Sequence, residues 1–110
     1  ANFPTRSKGA WIPTYLVDPI QVTPISHLIW RKRAQVEGRV SAIRTPANNQ
    51  SPTVEVELWD DTGGVTLQFL GRRQVTGLEV GELIRAEGMV GESQGQFTMI
   101  NPKYTVIRIR

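Results

Sequence analysis

The sequence holds few side chains of the kinds that do nucleophilic, acid–base or metal chemistry. Cys is absent and His27 is the only histidine, which excludes a disulfide framework and a thiolate or His-rich zinc site. Asp60 and Asp61 are adjacent and followed by Thr-Gly-Gly, so they are better suited to form a turn than a metal or acid–base pair. We therefore expect a protein that is not an enzyme and uses no cofactor and no metal ion.

Charge is distributed unevenly along a mildly basic chain with a net charge of +3. Residues 1–33 carry five basic groups against one acid, residues 34–70 two against five, and residues 71–110 six against four. A basic surface would have to come from the N-terminal segment, from Arg72 with Arg73, and from the C-terminal end. This balance permits a nucleic-acid or other anionic partner without requiring one, since scattered solvated charge is equally compatible with it.

The length of 110 residues is enough for one folded domain with one core. No apolar run approaches the roughly 18 to 20 residues that span a bilayer, and the N-terminus lacks the apolar region of a signal peptide. We expect a cytoplasmic protein. The chain begins with Ala1 and not with Met, which is also compatible with a piece of a longer protein.

The N-terminal segment is interrupted by prolines at positions 4, 13, 19 and 24, which disfavour a long regular element. We interpret residues 1–23 as an arm and residues 24–110 as the folded domain, with a short helical turn after Pro24. The arm is too apolar for a free tail, so we expect it to dock on the domain or on a neighbouring chain through Trp11, Ile12, Tyr15, Leu16 and Val17. Trp11 and Trp30 are expected to cover an open end of the core.

Apolar and polar residues alternate with a period of two from Ala34 onward, which predicts half-buried strands. The predicted strands cover residues 34–43, 53–59, 65–70 and 83–91, with a fifth that begins at residues 97–100 and resumes at 104–107. In the first strand, Val40 and Ala42 are expected to face inward and Ile43 outward, and Gly38 to allow a strong bend. Residues 45–52 read as a flexible loop. Five short strands without a long helix predict a small all-β barrel with a proline-rich N-terminal arm.

Four segments in this order, VEGRV, VELWDDTGGVTLQFLG, LEVGELIRAEGMV and MINPKY, resemble an OB-fold of the tRNA-anticodon-binding and helicase type. The last segment is similar to the one that closes the wedge-domain barrel of RecG-type helicases. Small stand-alone OB-fold proteins of actinobacteria resemble the chain more closely, because they also carry LGRR after the third strand. The resemblance covers about residues 24–107 and implies an all-β, five-stranded Greek-key OB-fold barrel that binds nucleic acid.

The resemblance also implies where a single strand would bind, because OB-folds lay bases across the second and third strands. Trp59 would stack a base, Thr66 and Gln68 would bond base edges, and four arginines would contact phosphates: Arg39, Arg44, Arg72 and Arg73. Glu55 stands where relatives tend to place a stacking aromatic, and Glu57 adds a second carboxylate. We therefore expect modest affinity for single-stranded or branched DNA or RNA.

Other roles remain open for this sequence. Packing beneath the arm is as good an account of Trp59 as base stacking, and a solvated turn also accounts for Arg72 and Arg73. The alternative function is a protein-interaction or self-association module, in which an acidic face or a barrel edge pairs with another chain. The sequence does not distinguish DNA from RNA, and it does not indicate an oligomeric state or a pathway.

Overall fold

The computed structural model describes residues 21–46 and 51–107, which form a 3-10 helical turn and six strands. The predicted docking of the arm, residues 47–50 of the loop and the last three residues therefore lie outside the described residues. The elements are the turn η1 (Ile25–His27) and the strands β1 (Arg33–Arg44), β2 (Thr53–Trp59), β3 (Gly64–Leu70), β4 (Leu83–Ser93), β5 (Gln96–Ile100) and β6 (Lys103–Ile107).

The strands close into a barrel with the order β1-β2-β3-β5-β4 and back to β1. β3 and β5 run parallel, and the other neighbours are antiparallel. β6 continues the course of β5 along β4 after an interruption at Asn101 and Pro102. β5 and β6 are thus two parts of one fifth strand, and the predicted five-stranded Greek-key barrel is confirmed.

β1 joins the two halves of the barrel because it pairs with both β4 and β2. Residues 33–39 pair with β4 and residues 39–44 pair with β2. At the crossing, a Cβ on Gly38 would stand 2.5 Å from the backbone oxygen of Trp59, so a side chain there would collide with the neighbouring strand. Gly38 is therefore required by the close approach of two backbones, a reason different from the strand bend expected from the sequence.

One prediction for β1 is wrong beyond Val40. The register shifts between Val40 and Ala42, so that Ala42 lies opposite Glu57 and Ile43 lies opposite the buried Val56. Ser41 is the additional residue of this bulge, and it reverses the alternation of inward and outward side chains. Ile43 therefore turns toward the core side and Ala42 toward the outer side, the opposite of what a strict period of two predicts.

The core fills the barrel with aliphatic side chains from every long strand, and the described residues close it at both ends. At one end, η1 and the residue after it insert Ile25 and Leu28, which are 1% and 6% exposed. At the other end, the loop between β3 and β4 inserts Val75 and Leu78. The expectation that Trp30 covers an end is wrong, because Trp30 is 53% exposed and Ile25 occupies that role; Trp11 lies outside the described residues.

Asp60 ties η1 to the turn between β2 and β3. Its Oδ1 accepts the backbone N–H groups of Thr62 and Gly63 at 2.7 and 3.0 Å, which confirms the predicted Asx turn. Its Oδ2 accepts the N–H of Ile25 at 2.9 Å. Burial tends to raise the pKa of this carboxyl, but the hydrogen bonds from Thr62, Ile25 and Gly63 outweigh it and hold the pKa below its ordinary value.

The described residues contain no helix long and apolar enough to cross a membrane. Within the same ranges, no group of three or more His, Asp or Glu side chains converges in a way that could hold a metal ion.

We predict that Asp60→Ala lowers the free energy of unfolding by about 1 to 2 kcal/mol at pH 7, because three backbone donors lose their acceptor. The folded-state pKa is depressed, so this stabilisation is present above about pH 4 and is lost as the pH falls through the folded pKa. Urea unfolding of both proteins at pH 7 and pH 3 measures it. Asp61→Ala, at the neighbouring exposed position, is the control, and an equal loss in both variants would contradict the assignment.

Candidate functional site

The outer face of β1, β2 and β3 carries five of the seven predicted binding residues, together with two acids. We call this surface the Trp59 face; it consists of Arg39, Arg44, Glu55, Glu57, Trp59, Thr66 and Gln68. These side chains share one face because the pairs Arg39 with Trp59, Glu57 with Thr66, and Glu55 with both Arg44 and Gln68 lie directly opposite one another across neighbouring strands. The shared face follows from the pleat once the register is set.

Trp59 ends β2 and presents an anchored aromatic ring to solvent. The residue is 49% exposed. A Cβ on Gly64 would come within 2.7 Å of the ring atom Cε2, so the indole lies directly on the glycine across from it. The indole Nε1–H donates to Oε1 of Glu57 at 3.1 Å. The ring is therefore supported from below and fixed at its polar edge, while part of its surface is open to a ligand.

Glu57 organises this end of the face. Its Oε1 accepts the hydroxyl of Ser41 at 2.9 Å in addition to the indole of Trp59, and its Oε2 lies 3.5 Å from Nη2 of Arg44. The hydrogen bond from Trp59 and then that from Ser41 lower the pKa of the Glu57 carboxyl; burial opposes this and the charge of Arg44 adds to it. The Glu57 carboxylate, which the sequence led us to expect to repel phosphate, thus holds the indole ring of Trp59 in place.

Arg39 and Arg44 flank the two acids. Arg39 lies opposite Trp59 and donates from Nη1 to the backbone oxygen of Gly81 at 3.0 Å. Arg44 lies 3.8 Å from Glu55 and 3.5 Å from Glu57, because the bulge in β1 turns it to the outer side. Two cations and two carboxylates balance, so this part of the surface carries no formal net charge.

Thr66 and Gln68 are less accessible than the sequence suggested. Thr66 lies between Glu57 on β2 and Thr98 on β5 and is only 8% exposed. Gln68 is half-buried and donates from Nε2 to Oε2 of Glu55 at 3.4 Å. Thr66 therefore forms the floor of the face. The amide of Gln68 has two N–H donors, so it can donate one to a base while the other is bonded to Glu55.

Arg72 and Arg73 do not join the cluster around Trp59. They follow β3 at the end of the hairpin away from Trp59, and this end, at Leu70, is six residues or about 20 Å along β3 from Gly64. Arg72 lines a shallow pocket of about 190 Å³ with Tyr104 and Asn101, and Arg73 lines a separate groove of about 380 Å³. The two residues are exposed, but they do not form a common clamp.

Sequence reasoning missed three contributors to this site. Ser41 and Gly64 support Glu57 and Trp59, and both were interpreted only as strand or turn residues. Ile100 was not considered for the surface, yet it is 56% exposed and lies opposite Gln68. Gly64 was the one with a signal, since a second glycine after Gly63 exceeds what the turn needs. The other two depend on a bulge and on a parallel strand pair.

The comparisons with known proteins agree with the barrel fold. The family model described as an OB-fold nucleic acid binding domain matches residues 34–107. Among solved structures, the chain is similar to the replication factor A related protein from Methanobacterium thermoautotrophicum, with 21% identity and a TM-score of 0.59 over 79% of this chain and 91% of that chain. At this identity the likeness confirms the fold. None of the curated proteins matches the chain.

We predict that Trp59→Phe raises the pKa of Glu57 toward the ordinary value for glutamate, because the largest contribution to its lowering is the indole hydrogen bond. Phe keeps an aromatic ring but has no N–H donor. NMR titration of the Glu57 side-chain carboxyl measures the change. Ser41→Ala is the matched comparison, with a smaller rise expected; an unchanged pKa in Trp59→Phe would contradict the anchoring of the ring.

Proposed function

The chain belongs to the family of OB-fold nucleic acid binding domains, and from this premise we propose that it binds single-stranded or branched nucleic acid without catalysis. The observation that carries the proposal is the anchored, half-exposed ring of Trp59 beside Arg39. A flat aromatic surface fixed on a rigid strand can stack an unpaired base, and the neighbouring cation can meet its phosphate. Bases inside a continuous duplex do not offer a free face.

The spacing of the cations indicates a path for a bound nucleic-acid strand across the surface. Arg39 and Trp59 lie at one end of the β2–β3 hairpin, and Arg72 and Arg73 lie at the other, about 20 Å away. A nucleic-acid strand that runs along the length of the hairpin would contact cations at both ends. Between them it would pass the ion-paired group of Arg44, Glu55 and Glu57. Gln68 and the exposed side chains of Leu70 and Ile100 would meet the bases on this path.

The charge balance of the Trp59 face supports modest affinity. The central part of the face adds little attraction for phosphate, because Arg44 is close to two carboxylates. These pairs are exposed, and such pairs contribute about 0 to 1 kcal/mol, so Arg44 can exchange them for a phosphate at little cost. Attraction for the backbone then rests mainly on Arg39, Arg72 and Arg73.

We predict that Trp59→Ala weakens binding of labelled single-stranded 12-mers of DNA or RNA about 5- to 150-fold, which corresponds to one stacked base. Fluorescence anisotropy at low and physiological salt measures it. Trp59→Phe is the control and should retain most of the affinity, and a blocked duplex of the same sequence should compete poorly. Equal binding by wild type and Trp59→Ala would contradict the stacking role.

Removing positive charge after β3 and removing negative charge from the Trp59 face should have opposite effects. Arg72→Gln with Arg73→Gln should weaken binding and lower the salt slope by about 0.7 for each phosphate that is no longer neutralised. Glu55→Gln should strengthen binding, because it removes a carboxylate while keeping an acceptor for Gln68. Binding by wild type that is insensitive to salt would instead favour the alternative, an interface with a protein partner.

A further inference from the structure

A second exposed aromatic and basic surface lies where the chain enters β1. It consists of Trp30, Arg31, Lys32 and Arg33, and we call it the Trp30 patch. Trp30 is 53% exposed, and the guanidinium carbon of Arg31 stands 4.2 Å from the centre of its ring. The three basic residues are all exposed. The patch thus combines an open aromatic ring with three consecutive positive charges.

The surroundings of the Trp30 patch leave most of this charge unbalanced. The carboxylate of Glu87 lies 3.6 Å from Arg33, so one of the three cations of the patch is paired with an acid. Met89 lies opposite Arg33 and is 50% exposed, which extends the apolar part of the surface. The Trp59 face is balanced where the Trp30 patch is positive, so the patch is better suited to attract a polyanion.

The backbone holds the patch in a conformation that its sequence does not favour. Arg31 has a φ of 70°, in the left-handed region that glycine adopts readily and other residues avoid. The conformation is fixed by hydrogen bonds on both sides, from the N–H of Arg31 to the oxygen of Val90 at 2.8 Å and from the N–H of Val90 to the oxygen of Lys32 at 2.9 Å. An arginine at a position suited to glycine points to a use for its side chain.

The Trp30 patch is separate from the Trp59 face but shares a strand with it. Arg33 and Arg39 are six residues apart on β1, a distance of about 20 Å. Between them the outer surface is occupied by Glu37, whose carboxylate accepts two hydrogen bonds from Arg85. A ligand that reaches both surfaces must therefore be longer than the Trp59 face itself.

We propose that the Trp30 patch is a second contact for the nucleic-acid strand, with a base stacked on Trp30 and phosphates held by Arg31, Lys32 and Arg33. The proposal rests on the proposed function, since it concerns the same ligand at a new surface. A nucleic-acid strand satisfies the aromatic ring and the cations together. A purely apolar partner would bury three cations without counter-charges, which is costly.

Oligonucleotide length tests the proposal. At about 3.4 Å per nucleotide, even a stacked 12-mer spans about 40 Å and reaches both surfaces, whereas a 4-mer spans about 14 Å and reaches one. Wild type should bind the 12-mer more tightly than the 4-mer. The ratio of the two affinities should exceed the statistical factor that comes from the larger number of positions at which a longer strand can bind. Arg31→Gln with Lys32→Gln should reduce this excess, with about a tenfold or greater loss of affinity for the 12-mer, while the part that Arg72 and Arg73 contribute remains. Trp30→Ala should do the same.

Arg31→Gly separates binding from folding. Glycine fits a φ of 70°, so the melting temperature should stay equal or rise while 12-mer affinity falls. Gln94→Gly is the matched control, because Gln94 also has a positive φ, of 53°, but lies outside the patch; it should keep 12-mer affinity.

The two proposals fail in different ways. If wild type binds the oligonucleotides and the patch variants bind both lengths as wild type does, the Trp30 patch is not a nucleic-acid contact while the proposed function stands. If wild type binds neither length at low salt, the proposed function fails and the second contact fails with it. A lower melting temperature in Arg31→Gly together with weaker binding would overturn the patch, since the weaker binding would follow from folding.

Discussion

The barrel depends on the point where β1 leaves β4 and joins β2, because one strand must serve both neighbours there. At Gly38 the two backbones approach so closely that no Cβ would fit beside the oxygen of Trp59. The same crossing sets Arg39 opposite Trp59. Closure of the sheet and the position of the Trp59 ring therefore depend on the same crossing. A change that separates the two strands there would open the barrel and displace the ring.

The bulge at Ser41 determines the electrostatics of the Trp59 face. It turns Arg44 to the outer side, where the guanidinium meets Glu55 and Glu57, and it brings the hydroxyl of Ser41 to the Glu57 carboxylate. Without the extra residue, alternation would send Ile43 outward and leave the two acids without this cation. The face is acidic in sequence but balanced in the folded protein, which is compatible with binding a polyanion weakly.

The two exposed tryptophans among the described residues differ in their surroundings. Trp59 rests on Gly64 and is fixed by Glu57, within a group of compensating charges. Trp30 carries the guanidinium of Arg31 on its ring and stands among cations. The family of OB-fold nucleic acid binding domains shows the class of ligand. On our proposals, the two surfaces would hold that ligand by different means. One surface is preorganised by hydrogen bonds and the other supplies charge.

Alternation, turn residues and glycines were sufficient to predict much of this protein from its sequence. Interactions between residues close in the chain explain the features that were predicted correctly: the bounds of β2, the inward faces of β2 and β3, the turn at Asp60, and the break at Asn101 and Pro102. The order of the motifs indicated the OB fold. The tertiary structure decided four other features: the bulge, the support of Trp59 by Gly64, the burial of Thr66 and the separation of Arg72 from Trp59. Each of these features depends on which strands become neighbours and in which register. Hydrogen bonding between distant segments sets that register, and a period of two along one strand carries no information about it.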